Sequence, residues 1–552
     1  MLAVVRTLTS ATRVMDVLPL LRARDGIELY VTVNPGSAFT AGLPGYLDSL
    51  AGVTPLSWSE AVRRDFDLAV ACTVNSSMHR LRAPLVVLPH GVGYNRLVRP
   101  TTGDDVSPAG LSRQELLRRG RVVPAVIGLS HEEQLERLRR SCPRALPVAR
   151  VVGDPCFDRL LASLPERDRY RRLLGAVGGR RLVLVSSTWS EHSLLGRCPD
   201  LPLRLVRELP VDEYAVAVVL HPNIWARHHP LDLLDEAVRS GLLVLPPQHG
   251  WQAALVAADW VVGDHGSVSF YGAALDRVTL LAATGEAELD PDSPGYAFGR
   301  GAPALDATGP LEPQLRRAAE DHGTRAAPEL LDLTRRSLGE RGRSARILRE
   351  LLYSYLPGIP EPAEEALTPP YPDPEPIDLA RVTAFDVVGE VTADGVRLRR
   401  YPVGPGHRAA RGCYAVTTGA SLRLRQVAEV IARTEPTAEP DPLVWLDRVM
   451  GQLPGLTVAV AALAADRLLL RLRSGPVLQA QPVADWGAVP APLDPVLLGA
   501  AVALQLADRA GAGAGAPAGP ATPAAESTAR LTAHELVIEA GRTVRVRFTE
   551  RP

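Results

Sequence analysis

The chain contains no lysine, and all 61 of its basic residues are arginine. This absence excludes a lysine Schiff base and the lysine of a Walker-type phosphate loop, so pyridoxal-phosphate enzymes and P-loop ATPases are ruled out. An excess of one charge is missing too, because 62 acidic residues bring the net charge to −1. We therefore expect no nucleic-acid partner, since proteins that bind nucleic acids usually carry a basic excess.

Cysteines and long apolar runs are also scarce. The five cysteines are scattered and form no CxxC pair: Cys72, Cys142, Cys156, Cys198 and Cys413. This pattern predicts neither a disulfide framework nor a zinc knuckle, and it fits a reducing compartment. No uncharged apolar run reaches the roughly 18 residues of a membrane-spanning helix, and the first residues lack the layout of a signal peptide. We expect a cytoplasmic protein whose contact with the membrane is at most peripheral, at its inner face.

The first two thirds of the sequence alternate apolar strands with helices. Strands are predicted at residues 2–5, 27–33, 67–74, 84–88 and 122–129, and again at residues 181–186, 215–220, 242–245, 260–262 and 278–281. Because these runs lack polar alternation, they favour parallel sheets covered on both faces. The predicted fold class is α/β. Two Rossmann-type domains, residues 1–150 and 151–357, face each other across an active-site cleft, and closing helices end the second domain.

The composition changes after the second domain. Residues 358–377 are rich in proline, which predicts a semi-rigid linker. Residues 378–552 predict an α+β accessory domain, in which an Ala/Gly/Pro tract at residues 510–526 is expected to be flexible. Its predicted elements are hairpins at residues 385–401 and 536–548, a strand pair at residues 455–461 and 467–473, and helices at residues 422–433, 442–452 and 494–509. No motif assigns this domain a function, and an interaction with a protein partner is the role left open for it.

Two histidines are the strongest candidates for chemistry. His90 follows the strand at residues 84–88, and His221 follows the strand at residues 215–220 in the same way. Ligands of parallel sheets bind beyond the carboxyl ends of the strands, and Gly91 would let a donor phosphate approach the backbone closely. A histidine there can accept a proton from a hydroxyl near neutral pH. Either histidine alone is more simply a turn residue bonded to the backbone, but their matching positions in two domains favour catalysis.

A turn after the strand at residues 260–262 is the candidate phosphate site. Its members are Asp264, His265, Gly266, Ser267 and Ser269. A helix is predicted to start near Val268, and the unpaired amides of a helix start favour binding of a diphosphate. The alternative is an ordinary strand-to-helix turn capped by Asp264. Ser187 and Thr188 follow another strand, where their hydroxyls either bind phosphate or cap the next helix.

In number and order, these sites resemble the CDP-glycerol glycerophosphotransferase family, the teichoic-acid primases and polymerases of GT-B fold. The matching residues are, in chain order, His90-Gly91, Ser130, Gly153-Asp154-Pro155-Cys156-Phe157-Asp158, Thr188-Trp189, His221-Pro222 and Gly263-Asp264-His265-Gly266-Ser267. The resemblance spans residues 80–290. It implies a GT-B-like pair of domains, with the acceptor on the first and the nucleotide donor on the second.

The resemblance also implies a transferase that needs neither a cofactor nor a metal. His90 would deprotonate the acceptor hydroxyl, His221 would stabilise the donor phosphates, and the turn at residues 264–269 would hold the diphosphate. The donor would be a nucleotide-diphosphate compound such as CDP-glycerol or an NDP-sugar, and the size of the hydroxyl acceptor is left open.

Three departures from the family pattern bear on the donor. Cys156 stands where the family has arginine, and Gly266 replaces a serine of the phosphate turn. The lysine that the family usually has downstream of the His-Gly pair is absent, and Tyr94-Asn95-Arg96 occupy that region. Two alternatives therefore stay open. One is an NDP-sugar glycosyltransferase or epimerase of the same fold. The other is a catalytically inactive GT-B-like protein that binds a nucleotide or a partner.

Overall fold

The computed structural model describes the chain except residues 22–24, 38–39, 41, 51, 98–106, 324–326, 367, 378–380, 405–411, 437–439, 474, 484–491, 513–530, 533–534 and 552.

Two parallel sheets organise the first two thirds of the molecule, as the uninterrupted apolar strands predict. The first sheet has the spatial order Thr54–Leu56, Tyr30–Val33, Leu2–Val5, Ala69–Ala71, Leu85–Val87, Val126–Leu129 and Ala149–Val151. The second has the order Leu243–Val244, Tyr214–Leu220, Arg181–Ser187, Trp260–Gly263 and Val278–Leu281. In each sheet the strand order reverses beside the first strand in sequence, where ligands bind in such folds.

Helices cover both sheets. In the first domain they are Leu8–Val17, Leu43–Asp48, Trp58–Ala61, Arg113–Leu116 and Glu133–Ser141. In the second they are Pro155–Ala162, Arg167–Leu173, Leu194–Arg197, Leu201–Glu208, Pro222–Trp225, Pro230–Leu233, Asp235–Arg239, Trp251–Ala257, Ser267–Ala274, Pro294–Gly301, Leu311–Asp321, Ala327–Arg335 and Ser344–Tyr353. Among the described residues, none of the helices has the length and apolar character needed to cross a bilayer.

The first domain differs from its predicted outline at the edges of the sheet. It has seven strands rather than the five predicted, because Thr54–Leu56 and Ala149–Val151 are short edge strands that are partly exposed and lack an apolar run. The predicted boundary at residue 150 falls inside the second of these strands. The helix Ser344–Tyr353, the last one before the linker, buries Leu348 and Leu352 in the core of the first domain. The chain therefore returns to the first domain after it completes the second sheet.

The accessory domain is a closed sheet of nine strands around a buried helix. The strands follow the order Ala384–Val391, Gly395–Pro402, Leu536–Ala540, Arg542–Glu550, Val477–Pro482, Arg467–Leu472, Val458–Ala464, Val430–Arg433 and Gly412–Thr417, and the last pairs with the first. The helix Pro495–Ala512 packs its apolar residues into the core that these strands share. Both predicted hairpins are present. The helix predicted at residues 422–433 is wrong in its second half, because Leu422–Val427 is helical whereas Val430–Arg433 pairs into the sheet.

The accessory domain rests on the second Rossmann-like domain through a buried arginine. Arg400 donates to both oxygens of Asp212, at 2.9 and 2.6 Å, and to Asp494 at 2.8 Å. Val211 donates its backbone N–H to the carbonyl of Arg400. Two carboxylates around one guanidinium satisfy its charge, which makes burial of the pair tolerable. Residues 513–526 of the tract predicted to be flexible lie outside the described residues.

The proline-rich linker packs against both Rossmann-like domains. Tyr371 is 5% exposed, and its backbone N–H donates to Ser163 of the second domain. Its hydroxyl donates to Asp16 of the first domain at 3.0 Å and lies 3.3 Å from the sulfur of Cys156. Arg159 packs over the Tyr371 ring, with its guanidinium carbon 4.1 Å from the ring centre. The linker therefore fastens the two domains to each other below the cleft.

Tyr371→Phe removes the hydroxyl that joins the linker to Asp16. We expect a loss of about 2 kcal/mol of unfolding free energy, because a buried carboxylate loses a hydrogen bond. Urea denaturation followed by tryptophan fluorescence measures this loss. Tyr355→Phe is the matched control, since the partly buried Tyr355 hydroxyl makes no hydrogen bond within the described part of the chain. Equal stability of the two variants would contradict the role given to Tyr371.

Candidate active site

The carboxyl ends of the two sheets enclose a cavity of about 250 Å³. Residues of both domains line it. The titratable side chains among them are Arg13, His90, Tyr94, Arg96, His221 and His265, and no aspartate or glutamate belongs to the lining that the structure describes. A cavity with two arginines and no carboxylate in its described lining favours an anionic ligand.

His90 lies at the mouth of the first sheet, beyond the strand Leu85–Val87. Its Nδ1 is 3.2 Å from the carbonyl oxygen of Cys72. Because a carbonyl only accepts hydrogen bonds, this contact assigns the ring proton to Nδ1 and leaves a lone pair on Nε2. The ring is reached from the cavity but sits deep in the cleft, so burial lowers the pKa of His90 below 6.5, and the charge of Arg13 lowers it further. The residue is thus a neutral base at neutral pH.

His221 has the opposite tautomer. It follows the strand Tyr214–Leu220, and its Nδ1 accepts a hydrogen bond from the backbone N–H of Asn223 at 3.1 Å. The proton of the neutral ring is therefore on Nε2. Burial, with smaller effects from His90 and Arg96, lowers the pKa of His221 to about 3. One cavity thus contains a histidine that accepts a proton and another that donates a hydrogen bond.

The predicted phosphate turn leads into the helix Ser267–Ala274, whose N-cap is Gly266. The first amides of a helix have no partner within the helix, and they attract negative charge. A side chain at Gly266 would bring its Cβ within 2.7 Å of the Thr188 methyl group, so glycine is needed for the close approach of the two loops. His265, Gly266 and Ser267 all line the cavity.

Asp264 has a different role from the one predicted for it. Its carboxylate is fully buried and does not line the cavity. It accepts hydrogen bonds from the N–H and hydroxyl of Thr188, at 2.8 and 2.9 Å, and from the N–H groups of Leu194 and Gly266, at 2.9 and 3.0 Å. With its acceptor positions occupied, Asp264 holds the Thr188 loop against the phosphate turn rather than contacting a donor.

Three of the four predicted hydroxyl ligands are engaged inside the protein or placed behind the wall, whereas the fourth, that of Ser267, lines the cavity. Ser187 donates to the carbonyl of Thr188 and accepts from the N–H of Leu195, although it lines the cavity. The Thr188 hydroxyl is bonded to Asp264. Ser269 is fully buried and lies outside the lining. The hydroxyls of Ser187, Thr188 and Ser269 therefore shape the wall, which leaves the helix amides and the Ser267 hydroxyl as the donors nearest the turn.

The walls of the cleft touch at Gly91. The backbone N–H of Val92 in the first domain donates to the hydroxyl of Ser267 in the second, at 3.1 Å. A Cβ at Gly91 would lie 2.5 Å from that hydroxyl oxygen. The absence of a side chain at Gly91 thus permits the contact between Val92 of the first domain and Ser267 of the phosphate turn.

Sequence reasoning missed Arg13, Arg96, Trp251 and Glu288. Arg13 donates from Nε to the carbonyl of His90 at 3.3 Å and packs on the Trp251 ring, 5.4 Å from its centre. Arg96 and Glu288 form an ion pair across the cleft. An arginine on an amphipathic helix usually belongs to a solvated face, so the local sequence gave no sign that Arg13 lines a cavity. The one signal for Arg96 was its place in the region where the resembling family has lysine.

Other candidate groups add no chemistry. Burial raises the pKa of Cys156 to about 12, so its thiol is not an activated nucleophile. No cluster of three or more potential metal ligands occurs in the part of the chain that the structure describes.

Comparisons with known proteins give similarity only at the level of structure. No family model matches the sequence, and no curated protein does. The wall teichoic acid polymerase TagF aligns over 64% of this chain and 88% of its own, with 13% identity and a TM-score of 0.44. A putative UDP-N-acetylglucosamine 2-epimerase from Listeria monocytogenes aligns over 66% and 99%, with 13% identity and a TM-score of 0.41. The Neisseria meningitidis UDP-GlcNAc 2-epimerase, solved with UDP-GlcNAc, aligns over 64% and 99%, with 14% identity and a TM-score of 0.40. Likeness at this level does not assign a reaction to this chain.

Proposed function

We propose that the chain is a metal-independent transferase of GT-B type, which moves a glycerophosphate-type or glycosyl group from a nucleotide-diphosphate donor to a hydroxyl acceptor. The observation that carries the proposal is the pair of opposite histidine tautomers in one cavity, fixed by the contacts of His90 with Cys72 and of His221 with Asn223. The unpaired amides at Ser267 and the lack of carboxylates in the described lining support a diphosphate ligand.

The chemistry follows from these positions. Nε2 of His90 accepts the proton of the acceptor hydroxyl while that oxygen attacks the donor. For glycerophosphate transfer, the new bond is to phosphorus and a nucleoside monophosphate leaves; for glycosyl transfer, it is to carbon and the nucleoside diphosphate leaves. In both, negative charge grows on the leaving phosphate, where the Nε2–H of His221 and the helix amides near Ser267 stabilise it. General-base catalysis contributes about 10²–10⁴-fold, and one such charge-stabilising donor about 10²–10³-fold.

The pH dependence of turnover tests the state of His90. The residue must be neutral to accept a proton, and its pKa lies below 6.5. Activity should therefore fall on acidification only below pH 6.5, as the base becomes protonated, and stay level from there to neutral pH. The measurement is kcat/KM from pH 4.5 to 8. An acid limb with its midpoint above pH 6.5 would contradict the lowered pKa of His90.

A donor screen distinguishes the alternatives. Thermal shifts with CDP and UDP report binding, and incubation with CDP-glycerol and UDP-sugars in EDTA reports turnover. CDP binding with transfer from CDP-glycerol supports glycerophosphate transfer, whereas UDP binding points to a glycosyltransferase or epimerase. Binding without product from any donor indicates a nucleotide-binding protein without turnover. Absence of binding, or activity that EDTA abolishes, would contradict the proposal.

A further inference from the structure

Glu288 lies just outside the cavity, where it joins three side chains that approach from separate loops. Its Oε1 accepts a hydrogen bond from the hydroxyl of Ser190 at 2.8 Å and lies 2.6 Å from Nε2 of His265. Its Oε2 accepts a hydrogen bond from Nη2 of Arg96 at 2.5 Å. The Glu288 side chain is 16% exposed, so these contacts are shielded from water.

These contacts connect the two walls of the cleft. Ser190, His265 and Glu288 belong to the second domain, whereas Arg96 comes from the first. The backbone reinforces the crossing, because the N–H of Leu97 donates to the carbonyl of Glu288 at 3.1 Å. The guanidinium carbon of Arg96 also lies 4.9 Å from the centre of the Trp189 ring, which lines the cavity.

The turn that carries Glu288 is shaped around the His265 ring. Gly285 precedes this turn with a φ of +63°, in the left-handed region, and a Cβ there would lie 2.1 Å from Nδ1 of His265. His265 in turn directly precedes Gly266 and the amides of the phosphate turn. Fixing the ring therefore fixes the backbone that leads into the helix start.

The charge on Glu288 persists over the whole neutral range. Burial opposes ionisation, but the close contact with His265 and the charge of Arg96 outweigh it and lower the pKa of Glu288 to about 2. The ionised carboxylate thus holds two basic side chains, one from each wall, beside the phosphate turn.

We infer that Glu288 is a positioning residue that couples contact between the two domains to assembly of the phosphate site. The inference rests on the proposed function, and it assigns Arg96 as the group that the first domain contributes to the donor side. Glu288 orders the phosphate turn through its contact with His265. It pairs with Arg96 only when the two domains are in contact across the cleft. Neutralising Glu288 should therefore weaken binding of a diphosphate that Glu288 itself does not touch.

The test is Glu288→Gln, which keeps the shape and the Ser190 contact but removes the charge. Calorimetric titration with CDP and UDP should show affinity reduced by about tenfold, as expected for losing charge-assisted hydrogen bonds. Asp292→Asn is the matched control, because it breaks the exposed ion pair between Arg140 and Asp292 that joins the same two domains. Affinity of the control should stay within about twofold of the unaltered chain, since exposed ion pairs contribute little.

A double-mutant cycle with Arg96→Gln separates positioning from general loss of structure. If Arg96 acts through Glu288, the double variant binds about as weakly as the weaker single variant, and the losses do not multiply. Independent, multiplying losses, or a Glu288→Gln variant that binds as well as the control, would overturn the inference. If the unaltered chain binds neither nucleotide, the proposed function fails, and inorganic pyrophosphate then serves as the probe. Absence of pyrophosphate binding, or equal binding by both variants, would overturn the inference as well.

Discussion

His90→Ala is expected to lower turnover by about 10²–10⁴-fold while leaving nucleotide affinity nearly unchanged. The contact with Cys72 leaves the lone pair of the His90 ring on Nε2, where it can accept a proton. No carboxylate in the described lining of the cavity can replace it. Binding should be retained because the proposed diphosphate contacts, His221 and the helix amides near Ser267, do not include His90. Single-turnover rates and calorimetric titration with CDP or UDP measure the two effects separately.

His322→Ala is the control for this result. His322 pairs with Asp276, beyond the far end of the helix that starts at the phosphate turn, so its loss should not change turnover. If His90→Ala turns over as fast as His322→Ala, His90 is not the base. If it loses nucleotide binding to the same extent as turnover, the residue acts in binding rather than in proton transfer.

Asp264→Ala is expected to cost about 3 kcal/mol of unfolding free energy, and to abolish nucleotide binding. The substitution leaves the N–H groups of Thr188, Leu194 and Gly266 without the carboxylate that accepts their hydrogen bonds. It also frees the Thr188 loop from the phosphate turn, so the helix amides lose their fixed position. Urea unfolding and CDP titration measure the two consequences.

Ser269→Ala provides the comparison on the same turn. Its hydroxyl is fully buried, has no hydrogen-bond partner in the described structure and does not line the cavity. Its removal should change stability by less than about 1 kcal/mol and leave CDP affinity unaltered. An Asp264→Ala variant as stable as Ser269→Ala would show that the carboxylate does not organise this wall.

Local patterns predicted ten of the twelve strands of the two sheets because most of them are largely buried apolar runs, as in Tyr214–Leu220, where all seven residues are buried. The edge strand Thr54–Leu56 escaped prediction because it is largely exposed and contains proline. The closed sheet of the accessory domain could not be predicted from the sequence for another reason. It requires Gly395–Pro402 to pair with Leu536–Ala540, and no local pattern encodes pairing between segments so distant in sequence.

Some residues of the candidate site could be predicted from the sequence and others could not. His90 and His221 were found because each follows a buried strand, and the turn at Gly266 because glycine precedes a helix start. The tautomers were not predictable, since they depend on Cys72 and on the turn at Asn223. Arg96 and Glu288 meet only through tertiary packing, and each has the local sequence of a solvated residue. Sequence also could not distinguish Asp264, which faces inward, from Ser267, which faces the cavity.

A crystal structure of the chain with CDP or UDP bound would locate the donor directly. We expect the nucleotide in the cleft, with a phosphate within hydrogen-bond distance of the amides at Ser267 and Val268 and of Nε2 of His221. We also expect Nε2 of His90 to face that phosphate group across open space for an acceptor hydroxyl. A nucleotide bound elsewhere, or phosphates directed away from both His221 and the helix start, would show that this cleft does not hold the donor as proposed.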